Sequence, residues 1–171
     1  MIVRPATSED VRGVAAVHVD SWRAAYPSLL PQEMIDRHTL DSRERMWRTA
    51  LSGLLPMATW VAEAGDGRIT GFCSLADTTR NDEASAGTAE IAGLYVDPSE
   101  WRGGIGAALA RAALEYARAE GSREVTVWVL DGNAPAISFY ERFAFADDGR
   151  VMEFGGEGGP PAKRMRLGLN D

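Results

Sequence analysis

The spacing of apolar residues along the chain predicts several helices. One helix is expected after Thr7 or Ser8, either of which can cap it, because the apolar residues that follow recur at helical spacing. Pro27 and Pro31 interrupt the next stretch, so they are expected to end this helix and to begin a new one. Further helices are predicted over residues 42–51, 103–120 and 133–142.

Runs rich in β-branched and aromatic residues predict the strands. A hairpin is expected around the turn residues Gly65, Asp66 and Gly67. The polar residues 77–88 are expected to form an exposed loop. The remaining strands are predicted over residues 1–4, 89–96, 124–130, 143–154 and 163–169. Strands and helices therefore mix along the whole chain, which indicates the α/β class with a mixed sheet.

Length and charge exclude several classes of protein. The chain has 171 residues, 45% of them hydrophobic, so residues 1–171 are expected to form a single domain with a real core. With 18 basic and 25 acidic side chains, the net charge of −7 argues against nucleic acid and membrane surfaces as partners. One cysteine and two histidines make a dedicated metal site unexpected. The absence of an apolar leader indicates a soluble, cytoplasmic protein.

Glycines cluster where the strand ending at Val96 leads into the predicted helix. Gly103, Gly104 and Gly106 lack Cβ atoms, so an anion can approach the unpaired N–H groups and the positive end of the helix. A phosphate or pyrophosphate suits such a turn. The segment lacks the ending of a Walker loop, and Leu109 stands where a dinucleotide fingerprint has Gly or Ala. A phosphate site and a turn that merely allows tight packing both remain open.

A second group of residues lies further along the chain. Asn133 opens the short predicted helix, and Tyr140 follows seven residues later, almost two turns on, so both lie near one face. A tyrosine hydroxyl at this place could donate a proton to a leaving group. The alternative interpretation is a half-buried aromatic side chain with a hydrogen-bonded hydroxyl. Cys73, in the predicted hairpin, is interpreted as a small core residue rather than a nucleophile.

Together these two segments resemble the GNAT superfamily of acyl-CoA-dependent N-acetyltransferases. The first is similar to the family's R/Q-x-x-G-x-G/A signature and reads Trp101-Arg102-Gly103-Gly104-Ile105-Gly106-Ala107. The second is similar to its N-x-x-A-x-x-F/L-Y-x-x-x-G-F pattern at Asn133, Ala136, Phe139, Tyr140 and Phe145. Trp101 stands where the family has Arg or Gln, and Ala144 where it has Gly. The resemblance implies a GNAT-like central sheet, antiparallel in its N-terminal part, with a splayed parallel pair and flanking helices.

The resemblance also implies acetyl-CoA as co-substrate and a set of residues that bind it. The main chain of Leu94, Tyr95 and Val96 would bind the pantetheine arm like an added strand. Asn133 would bind the pantetheine region or steady the cofactor. The main-chain amides that would hold the pyrophosphate belong to Arg102, Gly103, Gly104, Ile105, Gly106 and Ala107.

The implied reaction is direct attack of a neutral amine on the thioester. Tyr140 would protonate the departing thiolate, and a main-chain N–H near residues 94–96 could polarise the carbonyl. Glu90 is the candidate base acting through water, with an ordinary strand-edge carboxylate as the equal alternative. Trp22 and Tyr26, and with them Arg23, could line the acceptor site, although aromatic residues on a helix are more often core.

Three functions remain open. The first is acetyl-CoA-dependent N-acetyltransfer to a primary amine of a small molecule or peptide, for which the pair of motifs speaks. The second is a non-catalytic acyl-CoA sensor or regulatory domain, and the third is an interaction domain without a ligand. A homodimer is compatible with all three.

Overall fold

The computed structural model describes residues 1–76 and 87–169. Of the loop expected over residues 77–88, residues 77–86 lie outside the described residues, and Thr88 already begins a strand. The helices are α1 Val11–Ala25, α2 Gln32–Asp36, α3 Leu40–Ala50, α4 Ile105–Ala119 and α5 Ala134–Glu141. The strands are β1 Ile2–Pro5, β2 Met57–Glu63, β3 Ile69–Ala76, β4 Thr88–Val96, β5 Glu124–Leu130, β6 Ala146–Glu153 and β7 Pro161–Gly168.

The strands form one sheet in the order β1-β2-β3-β4-β5-β7-β6. The neighbours from β1 to β4 are antiparallel, β4 and β5 are parallel, and β5, β7 and β6 are again antiparallel to their neighbours. The expected mixed sheet, with an antiparallel N-terminal part and a parallel pair, is therefore confirmed.

The parallel pair separates halfway along its length. β4 pairs with β5 only from Thr88 to Ile91, although β4 runs on to Val96. Where the pairing with β5 ends, β4 contains a β-bulge. Ser74 and Leu75 of β3 pair with Gly93 and Ile91, so Ala92 is the extra residue of the bulge. Beyond this point β5 pairs with β7 alone as far as Leu130. The separated ends open a V in the middle of the sheet.

Helices cover the two faces of the sheet. Adjacent residues in β2 show the alternation: Ala62 packs in the core that includes α4, whereas Val61 packs with α1 and α3. On the α4 side Leu109 is fully buried, and on the other side Trp47 is 2% exposed. The opening between β4 and β5 therefore lies between two layers of helices, and α5 packs in the same core cluster as α4.

Three local features shift the predicted boundaries. Helix α4 starts at Ile105 rather than at residue 103 because Gly104 adopts a left-handed conformation with φ +84°. Helix α3 starts earlier than expected because the Thr39 side chain accepts a hydrogen bond from the main chain of Ser42 and caps it. Ala144 adopts φ +64°, so the turn keeps the conformation that a glycine would favour, at a cost of about 1 kcal/mol.

Candidate active site

Two cavities adjoin the V between β4 and β5. The larger, of about 820 Å³, lies between the end of β4, the start of α4 and helix α5. The smaller, of about 420 Å³, is lined by residues of α1, α3, β4 and β5. Both cavities are lined by Tyr26, Leu94, Tyr95, Asn133, Ala136 and Tyr140. Molecules bound in the two cavities would therefore meet beside these residues.

Four main-chain N–H groups at the start of α4 face no protein acceptor. Those of Gly104, Ile105, Gly106 and Ala107 have no hydrogen-bond partner within the described residues, as expected of a first helical turn. All four residues line the larger cavity. Gly103 does not, because its N–H donates to the carbonyl oxygen of Glu100 at 3.2 Å. The amide of Gly103 thus serves the turn, whereas the other four, and that of Arg102, which also has no acceptor within the described residues, are free to bind an anion.

Trp101 and Arg102 precede these amides and form part of the turn that leads into helix α4. Arg102 lines the larger cavity and adopts φ +66°. The Nε1 of Trp101 donates to the carbonyl oxygen of Val96 at 2.8 Å, and the hydroxyl of Ser21 donates to the same oxygen at 2.9 Å. Trp101 therefore supplies a polar contact itself, although the family has Arg or Gln at this position. The Val96 carbonyl is occupied by these two donors.

The end of β4 offers main-chain groups to the opening. The N–H of Asp97 donates to the carbonyl of Thr70 at 2.9 Å, so by the alternation of an antiparallel ladder the main chain of Tyr95 also faces β3. Leu94 and Val96 then face the opposite edge, toward the V. Leu94 and the Val96 N–H can therefore bind an added strand-like ligand. Tyr95 contributes its side chain, whose hydroxyl accepts from that of Tyr26 at 3.3 Å.

Tyr140 stands where the two cavities meet. It lies in α5, is 6% exposed and packs edge-on against Phe139 and Phe145. Burial raises the pKa of Tyr140 well above its usual value, so the hydroxyl is protonated at neutral pH. The side chain is thus a proton donor held in a largely apolar place.

Glu90 lies deeper in the smaller cavity. It belongs to the central strand β4 and is 1% exposed, so it is not the ordinary strand-edge carboxylate that the sequence left open. Cys73 lines neither cavity, and burial raises the pKa of its thiol to about 12. The cysteine is therefore a core residue, as expected, and the carboxylate is placed in a cavity that a substrate could enter.

Of the other residues expected at the site, three line a cavity and one does not. The side chain of Asn133 accepts from the N–H of Ala136 at 3.3 Å and caps α5, while it also lines both cavities. Trp22 and Tyr26 line the smaller cavity. Arg23 lines neither and is exposed, so the structure does not bring it to the site.

Sequence reasoning missed a group of aromatic and basic residues in the smaller cavity. They are His18, His38, Arg43, Trp47 and Trp128. The ring of His18 stacks on Tyr95 at 5.0 Å, and His38 stacks on Trp22 at 3.6 Å. The spacing of residues 18, 22 and 26 along one helix was a usable signal, since it places three rings on one face. Arg43 and Trp128 come from distant segments and left no such signal.

His18 makes the stability of the protein depend on pH. The Nε1 of Trp47 donates to its Nδ1 at 3.1 Å, so Nε2 carries the proton of the neutral ring. Burial, with the positive charges of Arg43 and His38 nearby, lowers the pKa of His18 to about 3. Because the unfolded ring titrates near pH 6.5, the unfolded state binds the extra proton between these values. The stabilisation is complete above pH 6.5 and is lost as pH falls toward 3.

We expect the free energy of unfolding to fall by about 1 to 2 kcal/mol between pH 6.5 and pH 5, with a slope that approaches about 1.4 kcal/mol per pH unit as pH falls below 6.5. Urea denaturation at both pH values measures this change. The variant His18→Gln keeps an acceptor for Trp47 and should lose most of the slope, whereas His38→Gln, at a half-buried position, should keep most of it. Equal slopes in His18→Gln and the unmodified protein would contradict this assignment.

Residues 1–76 and 87–169 contain neither a cluster of metal-ligating side chains nor a membrane-spanning helix. No group of three or more His, Cys, Asp or Glu side chains in this part of the chain is arranged to hold a metal ion. In the same part, no helix has the length and apolar character that crossing a membrane requires.

Comparison with known proteins agrees with this geometry. The chain is 31% identical over 143 residues to an uncharacterized N-acetyltransferase, YuaI, of Bacillus subtilis, covering 83% of this chain and 78% of that protein. It is 34% identical over 147 residues to an aminoglycoside N(6')-acetyltransferase type 1 of Klebsiella aerogenes, covering 84% and 93%. Its fold matches the structure of yncA, described as a putative acetyltransferase from Salmonella typhimurium with its cofactor acetyl-CoA, with a TM-score of 0.76, 22% identity and coverage of 100% and 95%.

The family-level match covers both motifs of the sequence. The family model described as acetyltransferase (GNAT) family matches residues 17–145, which include the glycine turn, Tyr140 and most of both cavity walls. The chain therefore belongs to the acetyltransferase (GNAT) family of acyltransferases.

Proposed function

We propose that this chain moves the acetyl group of acetyl-CoA directly to a primary amine of a small molecule or peptide. The observation that carries the proposal is the meeting of two cavities at Tyr140, one of them bordered by free main-chain amides at the start of α4. The larger cavity takes acetyl-CoA, and the smaller one takes the acceptor. Residues 1–171 act as one N-acetyltransferase-like domain, since all seven described strands belong to one sheet.

The residues of the larger cavity fit the parts of acetyl-CoA. The amides of Gly104, Ile105, Gly106 and Ala107, at the positive end of α4, suit the pyrophosphate. The free edge of β4 at Leu94 and Val96 suits the amide-containing pantetheine arm, which would add to the sheet like a short strand. Asn133 steadies the arm by holding the start of α5, and Arg102 borders the cavity near the phosphates.

The chemistry needs one proton removed and one delivered. Acetyl-CoA supplies a thioester, to whose carbonyl carbon the amine nitrogen bonds while the C–S bond breaks. The nitrogen then gives up a proton and the sulfur takes one. Tyr140 donates the proton to sulfur, because its hydroxyl is protonated and buried at the junction of the cavities. The N–H of Leu94, on the free edge of β4, polarises the carbonyl.

Glu90 accepts the proton of the amine through water. It is buried in the acceptor cavity on the same strand as Leu94, four residues before it. A carboxylate in this position also attracts an amine that arrives as an ammonium ion; this ion first releases one additional proton through water to the solvent, and the neutral amine then attacks. The aminoglycoside-acetylating relative supports a small-molecule acceptor, and a peptide amine is the other candidate.

Acetyl-CoA binding tests the proposal before any acceptor is known. A ligand that binds only the native state stabilises it by about 2.7 kcal/mol at a hundredfold excess over Kd. For a domain of this size we therefore expect the midpoint of thermal unfolding to rise by about 5–10 °C. Saturable stabilisation by acetyl-CoA, with none from acetate as the control, is the predicted result. No stabilisation at millimolar acetyl-CoA would contradict the proposal.

A non-catalytic acyl-CoA sensor is the alternative that binding alone leaves in place. The two are separated by the release of free thiol in the presence of amines. An enzyme releases CoA at a rate that depends on the amine, whereas a sensor binds acetyl-CoA and releases none.

A further inference from the structure

Three buried N–H donors of the described residues lack a hydrogen-bond acceptor, and all three belong to residues that line the smaller cavity. They are the Nε1 of Trp22, the Nε of Arg43 and the Nε1 of Trp128. A buried donor without an acceptor is destabilising, so native proteins seldom keep one unless a ligand or water completes it. Three such donors in one cavity indicate a ligand that brings acceptor atoms.

Arg43 brings an uncompensated positive charge to this cavity. It lies on α3, and within residues 1–76 and 87–169 it forms no ion pair; its one hydrogen bond runs from Nη1 to the sulfur of Met46 at 3.5 Å. Burial lowers the pKa of Arg43, while its charge lowers the pKa of both His18 and His38. The positive charge of the guanidinium therefore disfavours protonation of the two histidine rings in the cavity wall.

Burial and stacking hold the indole ring of Trp22, whose Nε1 has no hydrogen-bond acceptor, in a fixed position. The side chain is 5% exposed and stacks on His38 at 3.6 Å with an interplanar angle of 20°. His18 links this ring to α3: its ring lies 5.8 Å from that of Trp22, and it accepts a hydrogen bond from Trp47, which follows Arg43 by one helical turn. A carboxylate, with two oxygens and about four acceptor sites, matches such a pair of donors.

Apolar side chains form another part of the cavity wall. It includes the side chains of Met34, Met46, Met57, Met152 and Phe154. Unbranched methionine side chains adapt to apolar groups of different shape. The cavity therefore suits a ligand with an apolar body and a single anionic group.

We propose that the acceptor is a small amine that carries a carboxylate, which Arg43 and the indole N–H of Trp22 bind. This inference rests on the proposed function, since it gives the class of amine that enters the acceptor cavity. The ammonium end then faces Glu90 and the junction with the larger cavity, and the carboxylate faces α3. The reaction remains acetyl transfer to nitrogen, with the carboxylate unchanged.

Matched pairs of ligands test the proposal by binding to the free protein. The pairs are L-leucine with L-leucinamide, L-methionine with L-methioninamide, and 6-aminohexanoate with hexylamine. We expect at least one acid to bind about 10- to 100-fold more tightly than its carboxyl-free partner in calorimetric titration, the range for a hydrogen bond to a charged group. Partners that bind equally well, a preference for the carboxyl-free member, or no binding by any acid would overturn the proposal.

Variants on α3 show whether Arg43 causes the preference. Arg43→Gln should remove the preference for the acid, chiefly by weakening the binding of the acid. Arg43→Lys should keep part of this preference because the positive charge remains. Arg45→Gln is the matched control, since Arg45 is exposed on the same helix and lines neither cavity. Circular dichroism confirms that the variants fold. A preference that survives in Arg43→Gln would overturn the assignment to this residue.

This inference and the proposed function can fail separately. Amine-dependent thiol release with hexylamine and the amides, but with none of the acids, would leave the proposed function standing and overturn the inference. Absence of acetyl-CoA binding would overturn the proposed function, whereas the calorimetric preference is measured without acetyl-CoA.

Discussion

Replacing Tyr140 by phenylalanine is expected to lower kcat by about 100- to 1,000-fold, within the range for loss of a general acid. The substitution removes only the hydroxyl, and the ring keeps its packing against Phe139 and Phe145. The affinity for acetyl-CoA should change by less than about threefold, because the proposed site of the phosphates is made of main-chain amides at the start of α4 and does not involve this hydroxyl. Thiol release under saturating substrates and calorimetric titration of acetyl-CoA measure the two quantities.

The matched control for this variant is Tyr116→Phe. Tyr116 lies on α4, is 39% exposed and lines neither cavity, so the loss of its hydroxyl should leave kcat unchanged. Unchanged turnover in Tyr140→Phe would show that another group protonates the thiolate. Tyr95 is then the first candidate, since its hydroxyl is at the same junction and is bonded to that of Tyr26.

Replacing Gly106 by leucine is expected to raise the Kd for acetyl-CoA by about 100-fold or more, the cost of losing two charge-assisted hydrogen bonds. A Cβ at this position would lie 3.5–3.6 Å from side-chain atoms of Phe139, Leu94 and Val96, which is ordinary contact. Atoms beyond the Cβ must then enter the larger cavity, where they block the approach to the main-chain amides. Titration of acetyl-CoA, followed by thermal unfolding, measures the loss.

Two variants separate this steric effect from a general loss of stability. Gly106→Ala adds only the tolerated Cβ and should bind acetyl-CoA nearly as well as the unmodified chain. Ala119→Leu adds the same bulk at the exposed end of α4 and should have no effect on binding. Binding that persists in Gly106→Leu would show that the phosphates lie elsewhere.

The larger cavity could be predicted from the sequence because its features are local. A glycine turn that starts a helix determines by itself that the first amides are unpaired, whatever the rest of the fold does. The structure differs from the expectation at two places: the Gly103 amide donates to the Glu100 carbonyl within the same turn, and the main chain of Tyr95 faces β3. The contact of Gly103 depends on the turn's conformation, with Arg102 and Gly104 both left-handed, and the residue types alone do not fix it.

The smaller cavity could be predicted only in part because its residues come from distant segments. Trp22 and Tyr26 were expected from the family resemblance, and both line it. Arg43 and Trp128 reach the same cavity from α3 and β5, and no local pattern joins those two positions. The succession of strands and helices along the chain was predictable from periodicity, and the parallel pair in the sheet was implied by the family resemblance. The bulge at Ala92, where the V opens, depends on how β3 and β4 pair.

The junction of the two cavities explains why one face of the protein can bring a thioester and an amine together. Both ligands would lie along the opened end of β4, with Leu94 and Tyr140 in the walls of both cavities. No protein nucleophile is needed between them, and Cys73 is excluded from that role by its burial. The proposed reaction therefore requires direct transfer of the acetyl group, without an acetylated protein intermediate.

Mass spectrometry of a reaction with the carboxylate-bearing amines and acetyl-CoA tests this requirement most directly. Direct transfer predicts one N-acetylated amine for each CoA thiol released, no thiol release without amine, and an unchanged protein mass after incubation with acetyl-CoA alone. An acetyl group on the protein, formed in the absence of amine and then passed to it, would contradict direct transfer at the junction.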